Sequence, residues 1–171
     1  PQDDVLLTTA KGQAIRFAVS SLRVFAGRTS TGVRGISLGE GDRVISMAGL
    51  RHFETNPDER SEYLRRRRAI AGEVGAGDAD ESTTPVQLDQ ERYAEMSAAE
   101  QHIITISANG YGKRTSAFGF RVTARGGKVV AYTGEPSEKA RNGPVVASFP
   151  STHGDQSMLG TEQGKLIRLG V

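Results

Sequence analysis

One phrase built around a turn glycine occurs three times in this chain. It reads VLLTTAKGQAIRF from Val5 to Phe17, HIITISANGYGKRTS from His102 to Ser116, and SMLGTEQGKLIRL from Ser157 to Leu169. Two short apolar runs flank a polar turn each time. In the central copy the turn holds Asn109-Gly110, the strongest short-range hairpin signal, because a type I′ turn needs φ > 0 at both central positions. Superposing Gly12, Gly110 and Gly164 brings Arg16, Arg114 and Arg168 into register, each four residues after its glycine. The match extends beyond one hairpin: Arg23-Val24 stands eleven residues after Gly12, and Arg121-Val122 eleven after Gly110.

The spacing of the copies exposes an insertion. Gly110 to Gly164 is 54 residues and Gly12 to Gly110 is 98, an excess of 44. Composition places the excess between Ala48 and Glu100. Asn56-Pro57 pairs an N-cap with proline at the first helical position, Glu59 follows in the first turn, and Arg65 to Arg68 come near the end, all matched to a helix dipole. Helix is expected over 57–71 and 89–101, the second capped by Asp89, with Tyr93 and Met96 sharing a face. The stretch from Gly72 to Pro85 has no apolar periodicity and reads as an acidic linker. The expected organisation is a first repeat over 1–47, the acidic helical insertion over 48–101, a second repeat over 102–156 and the opening hairpin of a third over 157–171. Strands are expected at Val33 to Leu38, at Arg43 to Met47, and in ARGGKVVAY and NGPVVASFP. A period near 50 with about four strands per unit is the signature of propeller-like arrays.

Charge divides along the same boundary. Outside Ala48 to Glu100 there are 15 basic and 8 acidic residues, and inside it 7 and 12. The modest total of +2 therefore conceals a basic scaffold with an acidic appendage. A basic scaffold is the electrostatic footprint of polyanion binding. The absence of cysteine excludes disulfides and thiolate metal sites. No apolar run approaches the ~20 residues of a membrane-spanning helix. A cytoplasmic fragment of a longer protein is the expectation.

The phrases GRTSTGVRGI (Gly27 to Ile36), LGEGDRVIS (Leu38 to Ser46) and ANGYGKRTSAFGFRVTARGGK (Ala108 to Lys128) resemble the C-terminal domain of bacterial DNA gyrase A. The resemblance covers both repeats and the terminal hairpin, and the insertion resembles that of alphaproteobacterial members. It implies an all-β fold, a β-pinwheel of propeller-like four-stranded blades that exchange strands, here a fragment carrying a helical insertion. The terminal hairpin is then expected to pack on the preceding repeat or on another copy of the chain. The resemblance also implies a basic rim that binds and wraps duplex DNA irrespective of sequence. That wrapping supports ATP-dependent negative supercoiling by the whole enzyme, with the rest of gyrase A, together with gyrase B, as partners. The catalytic residues, the metal site and the ATPase of a type II topoisomerase lie elsewhere, so no catalytic residue, metal ligand or cofactor is expected here. The hallmark box Gln-Arg-Arg-Gly-Gly-Lys-Gly is not in this sequence. Its nearest counterpart is Arg125-Gly126-Gly127-Lys128, followed by Val129 where the box has glycine. The topoisomerase IV counterpart, with a related pinwheel, is the near alternative, and a propeller-like protein-interaction scaffold is the alternative from another class.

Candidate DNA contacts follow from charge and loop chemistry. Lys11, Lys113 and Lys165 sit in or beside the hairpin turns, where long side chains reach a phosphate backbone; ordinary surface lysine is the bland alternative. Arg28 and Arg34 flank the glycine-rich loop Gly27 to Gly35, and Arg125 and Lys128 flank Gly126-Gly127. Glycines let backbone N–H groups approach a phosphate while the cations neutralise it, although a tight connection needs glycine equally. Arg16, Arg114 and Arg168 either touch phosphate or bind strand-end carbonyls or a carboxylate between blades. Other motifs carry no chemistry. Gly112-Lys113 is not a phosphate loop, since Ser107 stands where the first glycine belongs and Arg114 replaces Ser/Thr. His52, His102 and His153 have no partner at triad or metal spacing. Arg65 to Arg68 reads as a solvated helix end. The absence of Trp argues against base stacking on single strands.

Overall fold

The computed structural model describes residues 2–72, 88–126, 130–131, 140–152 and 154–170. The chain forms two compact units, one of residues 1–52 and 101–171, the other of residues 53–100.

The first unit is built on the repeated hairpin. Strands β1 (Asp3–Thr9) and β2 (Gln13–Ala18) form its first copy, β4 (His102–Ser107) and β5 (Gly112–Ser116) its second, and β8 (Gln156–Gly160) and β9 (Leu166–Gly170) its third. All three turns close in the same way. Gly12, Gly110 and Gly164 donate their N–H to the carbonyls of Thr9, Ser107 and Thr161, at φ of 77°, 82° and 79°. These are three-residue loops ending on a left-handed glycine, not the two-residue type I′ turn that Asn109-Gly110 suggests. The glycine supplies the left-handed residue, and hydroxyls at the first turn position support it: Thr9 Oγ1 accepts from Gln13 N, and Thr161 Oγ1 from Lys165 N, both at 3.1 Å.

Each of the first two hairpins gains an antiparallel third strand, β3 (Val44–Arg51) on β1 and β7 (Val145–Ser151) on β4. In both, the strand joins at the turn end through a matching bond, Ala10 N to Arg43 O and Ala108 N to Pro144 O. The first sheet then takes its fourth strand from the second repeat. β6 (Val130–Ala131) pairs with β2, giving the order β3-β1-β2-β6. Upstream of β6, Val122 makes a parallel bridge to Arg16. This is the strand exchange of a pinwheel. A shared core seals the two repeats: Leu6, Ala14, Ala48 and Leu50 of the first pack with Ile103, Ala117 and Phe120 of the second. Burying Leu6, Leu50, Ile103 and Phe120 at roughly 1.5–3 kcal/mol each is the main force joining the repeats.

One expectation fails in an instructive way. Val33 to Leu38 is not a strand. Gly32 takes φ of 74°, and the segment is held instead by Ile36, buried against Ile15 and Phe17. Gly35 makes that close approach possible, because a Cβ there would stand 2.7 Å from Leu7 Cδ1. Gly35→Ala is expected to cost about 1 kcal/mol through overpacking, read as a lower melting temperature; an unchanged melting temperature would show that Leu7 yields freely. The third hairpin forms where it is expected, as a two-stranded sheet with β9 exposed along its length.

The second unit is a helical hairpin. α1 (Pro57–Ala71) opens with a reciprocal capping box between Asn56 and Glu59 and ends on Gly72 in the left-handed conformation. α2 (Gln90–Ala99) is capped by Asp89, whose carboxylate accepts from Arg92 N at 2.7 Å. Its small core holds Tyr63, Leu88 and Met96, with the Tyr63 and Tyr93 rings 5.1 Å apart. Burial raises the Tyr63 phenol well above its usual range, helped by the Glu100 carboxylate that its hydroxyl meets at 3.1 Å. The basic run is tied down: Arg65 and Arg66 both bind Glu62, and Arg67 binds Glu100. The acidic linker falls largely on residues 73–87, outside those described.

Candidate nucleic-acid interface

The structure sorts the cations that the sequence lines up. Arg16 is 5% exposed. Its Nε and Nη2 hold the Asp4 carboxylate at 2.9 and 2.8 Å, and its Nη1 donates to the Ala117 carbonyl at 2.8 Å. Asp4, fully buried, also meets His52 Nδ1 at 2.9 Å. Arg16 is therefore corrected from a DNA contact to a fastener between repeats: it joins the hairpin of the first to the 3-10 turn Ala117–Gly119 of the second. Sequence reasoning missed Asp4, whose signal was an acid one pair along the same face of the hairpin from Leu6↔Arg16. Asp4's counterparts are His102 and Gln156, so the ion pair is not repeated with the arginine.

Arg114 and Arg168 are exposed and make no ion pair within the described residues. Lys11 is exposed but engaged. Its Nζ donates to the Glu40 carbonyl and its N–H to Asp42 Oδ1 at 3.0 Å, so the hairpin tip is clasped by the turn before β3. Burial pushes the Asp42 carboxyl up, but bonds from Thr9 and from the N–H groups of Lys11 and Arg43, with the Lys11 charge, outweigh it and hold the pKa low. The second tip is clasped likewise, with Asn109 N donating to Asn142 O at 3.2 Å, while Arg141 stacks 4.9 Å above the Tyr111 ring. Lys113 lies exposed on β5 and Lys165 exposed before β9.

The glycine-rich loops do converge. Gly126 N donates to Gly35 O at 3.0 Å, and Arg125 Nη1 to Arg34 O at 3.3 Å. Thr123 N, at 2.8 Å from Arg16 O, anchors the same segment. Two stretches 91 residues apart thus form one edge. Arg34 and Arg125 are exposed on it, with Arg28 exposed on the same loop as Arg34. None of the three makes an ion pair within the described residues. Lys128 lies outside those residues. The first unit carries sixteen basic and eight acidic residues, so this edge sits in a net positive field. Among the described residues no cluster of His, Asp or Glu is placed to hold a metal ion, and no helix is long and apolar enough to cross a membrane.

The family model "DNA gyrase C-terminal domain, beta-propeller" matches residues 3–49 and 101–138, on either side of the helical unit. The chain belongs to the DNA gyrase C-terminal domain family. It is 42% identical to the DNA gyrase A protein of Granulibacter bethesdensis over 181 residues, covering 98% of this chain and 19% of that protein. Against the DNA gyrase A protein of Rickettsia bellii the identity is 41% over 167 residues, covering 97% and 18%. The chain thus spans about one fifth of the length of these relatives. Two solved structures share the fold. The C-terminal domain of DNA topoisomerase IV superposes with a TM-score of 0.63 at 18% identity, over 98% of this chain and 37% of that one. The DNA gyrase A C-terminal domain gives 0.58 at 19%, over 98% and 40%.

Proposed function

We propose that this gyrase-type pinwheel segment binds duplex DNA without sequence preference and helps to wrap it, as part of a gyrase A protein that works with gyrase B in the cytoplasm. The observation that carries this reading is the convergence of Arg34 and Arg125, from two repeats, on one glycine-lined edge of a unit with a twofold excess of basic residues. Arg28, Lys113 and Lys165 extend the set, Lys11 contributes from its clasped tip, and Lys128 joins it from the sequence pattern. Nothing in this constellation supplies a nucleophile, general base or metal ligand set, so its chemistry is phosphate neutralisation. Exposed guanidinium groups beside backbone turns position a phosphate backbone but do not read base edges.

Gel-shift titration of the full chain with random-sequence duplex DNA tests this. Affinity is expected to fall linearly on a log–log salt plot, with a slope of about −0.9 for each phosphate neutralised, and to be equal for unrelated sequences. Salt-independent binding, or a strong preference for one sequence, would remove the wrapping reading.

A further inference from the structure

The first two hairpin tips are built on one plan and carry opposite charge. Lys11 and Asn109 stand immediately before the turn glycines Gly12 and Gly110, and each reaches across to the loop that leads into its third strand. Lys11 Nζ donates to the Glu40 carbonyl, and Asn109 Nδ2 to the Arg141 carbonyl at 2.7 Å. Glu40 and Arg141 are equivalent, since each stands three residues before the carbonyl that anchors the third strand, Arg43 O or Pro144 O. The first tip thus presents an acid where the second presents a guanidinium, and both positions are exposed. The second repeat packs beside the first tip, with Val145 N donating to Ala10 O at 2.9 Å, and Glu40 is exposed nonetheless. A tip of this kind stays open with a neighbouring repeat in place.

Arg141 is not an untethered surface cation. Its guanidinium lies 4.9 Å from the centroid of the Tyr111 ring, and its Nε donates to Asn142 Oδ1 at 3.2 Å. Main chain and side chain are therefore both held, the first by Asn109 and the second by Tyr111 and Asn142. Its Nη1 and Nη2 have no protein acceptor among the described residues. A planar guanidinium fixed over a ring keeps its outer N–H groups for a two-oxygen acceptor, with less side-chain freedom left to lose on binding. The surrounding charge has one sign. From Gln101 to Ala131 the second repeat has five basic residues and no acid, with Lys113 and Arg114 exposed directly after the tip. The first tip instead sets Glu40 and Asp42 against Lys11.

We propose that Arg141, oriented by Tyr111, holds a backbone phosphate of duplex DNA at the second tip, and that the first tip, with Glu40 in the same place, makes no such contact. This rests on the DNA-binding reading and adds to it a contact that does not involve the Arg34–Arg125 edge. A phosphodiester offers two unesterified oxygens, an acceptor pair that the two Nη groups fit. A carboxylate in that place repels the same group.

Gel-shift titration of the full chain with random-sequence duplex DNA across a salt series tests this, with melting temperature as the folding control. Arg141→Ala is expected to weaken binding about five- to tenfold at low salt and to make the log–log salt slope shallower by about 1. Its melting temperature should match wild type, because the Asn109 bond goes to a main-chain carbonyl that the variant keeps. Tyr111→Leu removes the ring and no charge, and is expected to weaken binding about threefold. Tyr111→Phe, which keeps the ring, should bind as wild type does; positive charge alone would not produce that pattern. Glu40→Gln should leave the slope unchanged. Wild-type binding with the expected salt dependence, matched in affinity and slope by Arg141→Ala, would overturn this contact and leave DNA binding standing. Tyr111→Leu binding like wild type, or a slope altered by Glu40→Gln, would overturn it equally. A wild-type chain that fails to bind DNA would remove both readings.

Discussion

Arg16→Ala is expected to destabilise the chain by about 3–5 kcal/mol, the usual cost of leaving one member of a buried ion pair without its partner. Asp4 is fully buried, and removing the guanidinium strands its carboxylate with His52 as its remaining side-chain partner among the described residues. The Ala117 carbonyl loses one of its two donors in the same step and keeps the Phe120 N–H. For a chain of this size the melting temperature should fall by on the order of 10 °C. Arg114→Ala and Arg168→Ala are the internal controls. They alter the same position of the same repeat, but exposed, and should stay within roughly 0.5 kcal/mol of wild type. Replacing both partners with apolar residues, Asp4→Leu with Arg16→Met, should recover much of the loss, since well-packed substitutes for a buried pair are often neutral. Equal, small effects at all three arginines would show that Arg16 fastens nothing.

The arginine series marks where sequence reading stops. Register alone aligned Arg16, Arg114 and Arg168, and periodicity offers no means of telling a fastener from a surface cation. What separates them is whether another repeat lies on top, a long-range fact. Local physics was far more legible. The turn glycines located all three hairpins, because a left-handed position leaves few residue choices. Asn56-Pro57 and Gly72 bracketed α1 from Pro57 to Ala71, because caps satisfy orphan backbone groups from adjacent sequence. The turn type was misread at Asn109-Gly110, where the identical closure at Gly12 and Gly164 was the better guide. Val33 to Leu38 looked like a strand from its apolar spacing, yet its backbone joins no sheet; Ile36 is buried through side-chain packing alone. The edge formed by Arg34 and Arg125 was half visible: both glycine-rich loops were flagged, but their meeting depends on strand exchange, which brings residues 122–126 and 130–131 of the second repeat against the first repeat.

That meeting supports the second large effect. Arg34→Glu with Arg125→Glu is expected to weaken duplex DNA binding by about 10- to 100-fold at low salt and to make the log–log salt slope shallower by about 2, one for each phosphate no longer neutralised. The two measurements constrain each other. If the pair binds phosphate, affinity and slope fall together, and the gap between variant and wild type closes as salt rises, because the wild type releases more counterions and so weakens faster. If the arginines act only as general positive charge, affinity falls at low salt, where the Debye length is about 30 Å, while the slope barely moves. If they merely hold the two loops together, the affinity loss should be matched by lost stability. Arg125 Nη1 makes one long bond to the Arg34 carbonyl, and the backbone bond between Gly126 and Gly35 remains in the variant, so the melting temperature should be nearly unchanged. The reading fails if binding persists at wild-type affinity and slope, for then DNA would have to approach through the hairpin tips, where Lys113 and Lys165 lie.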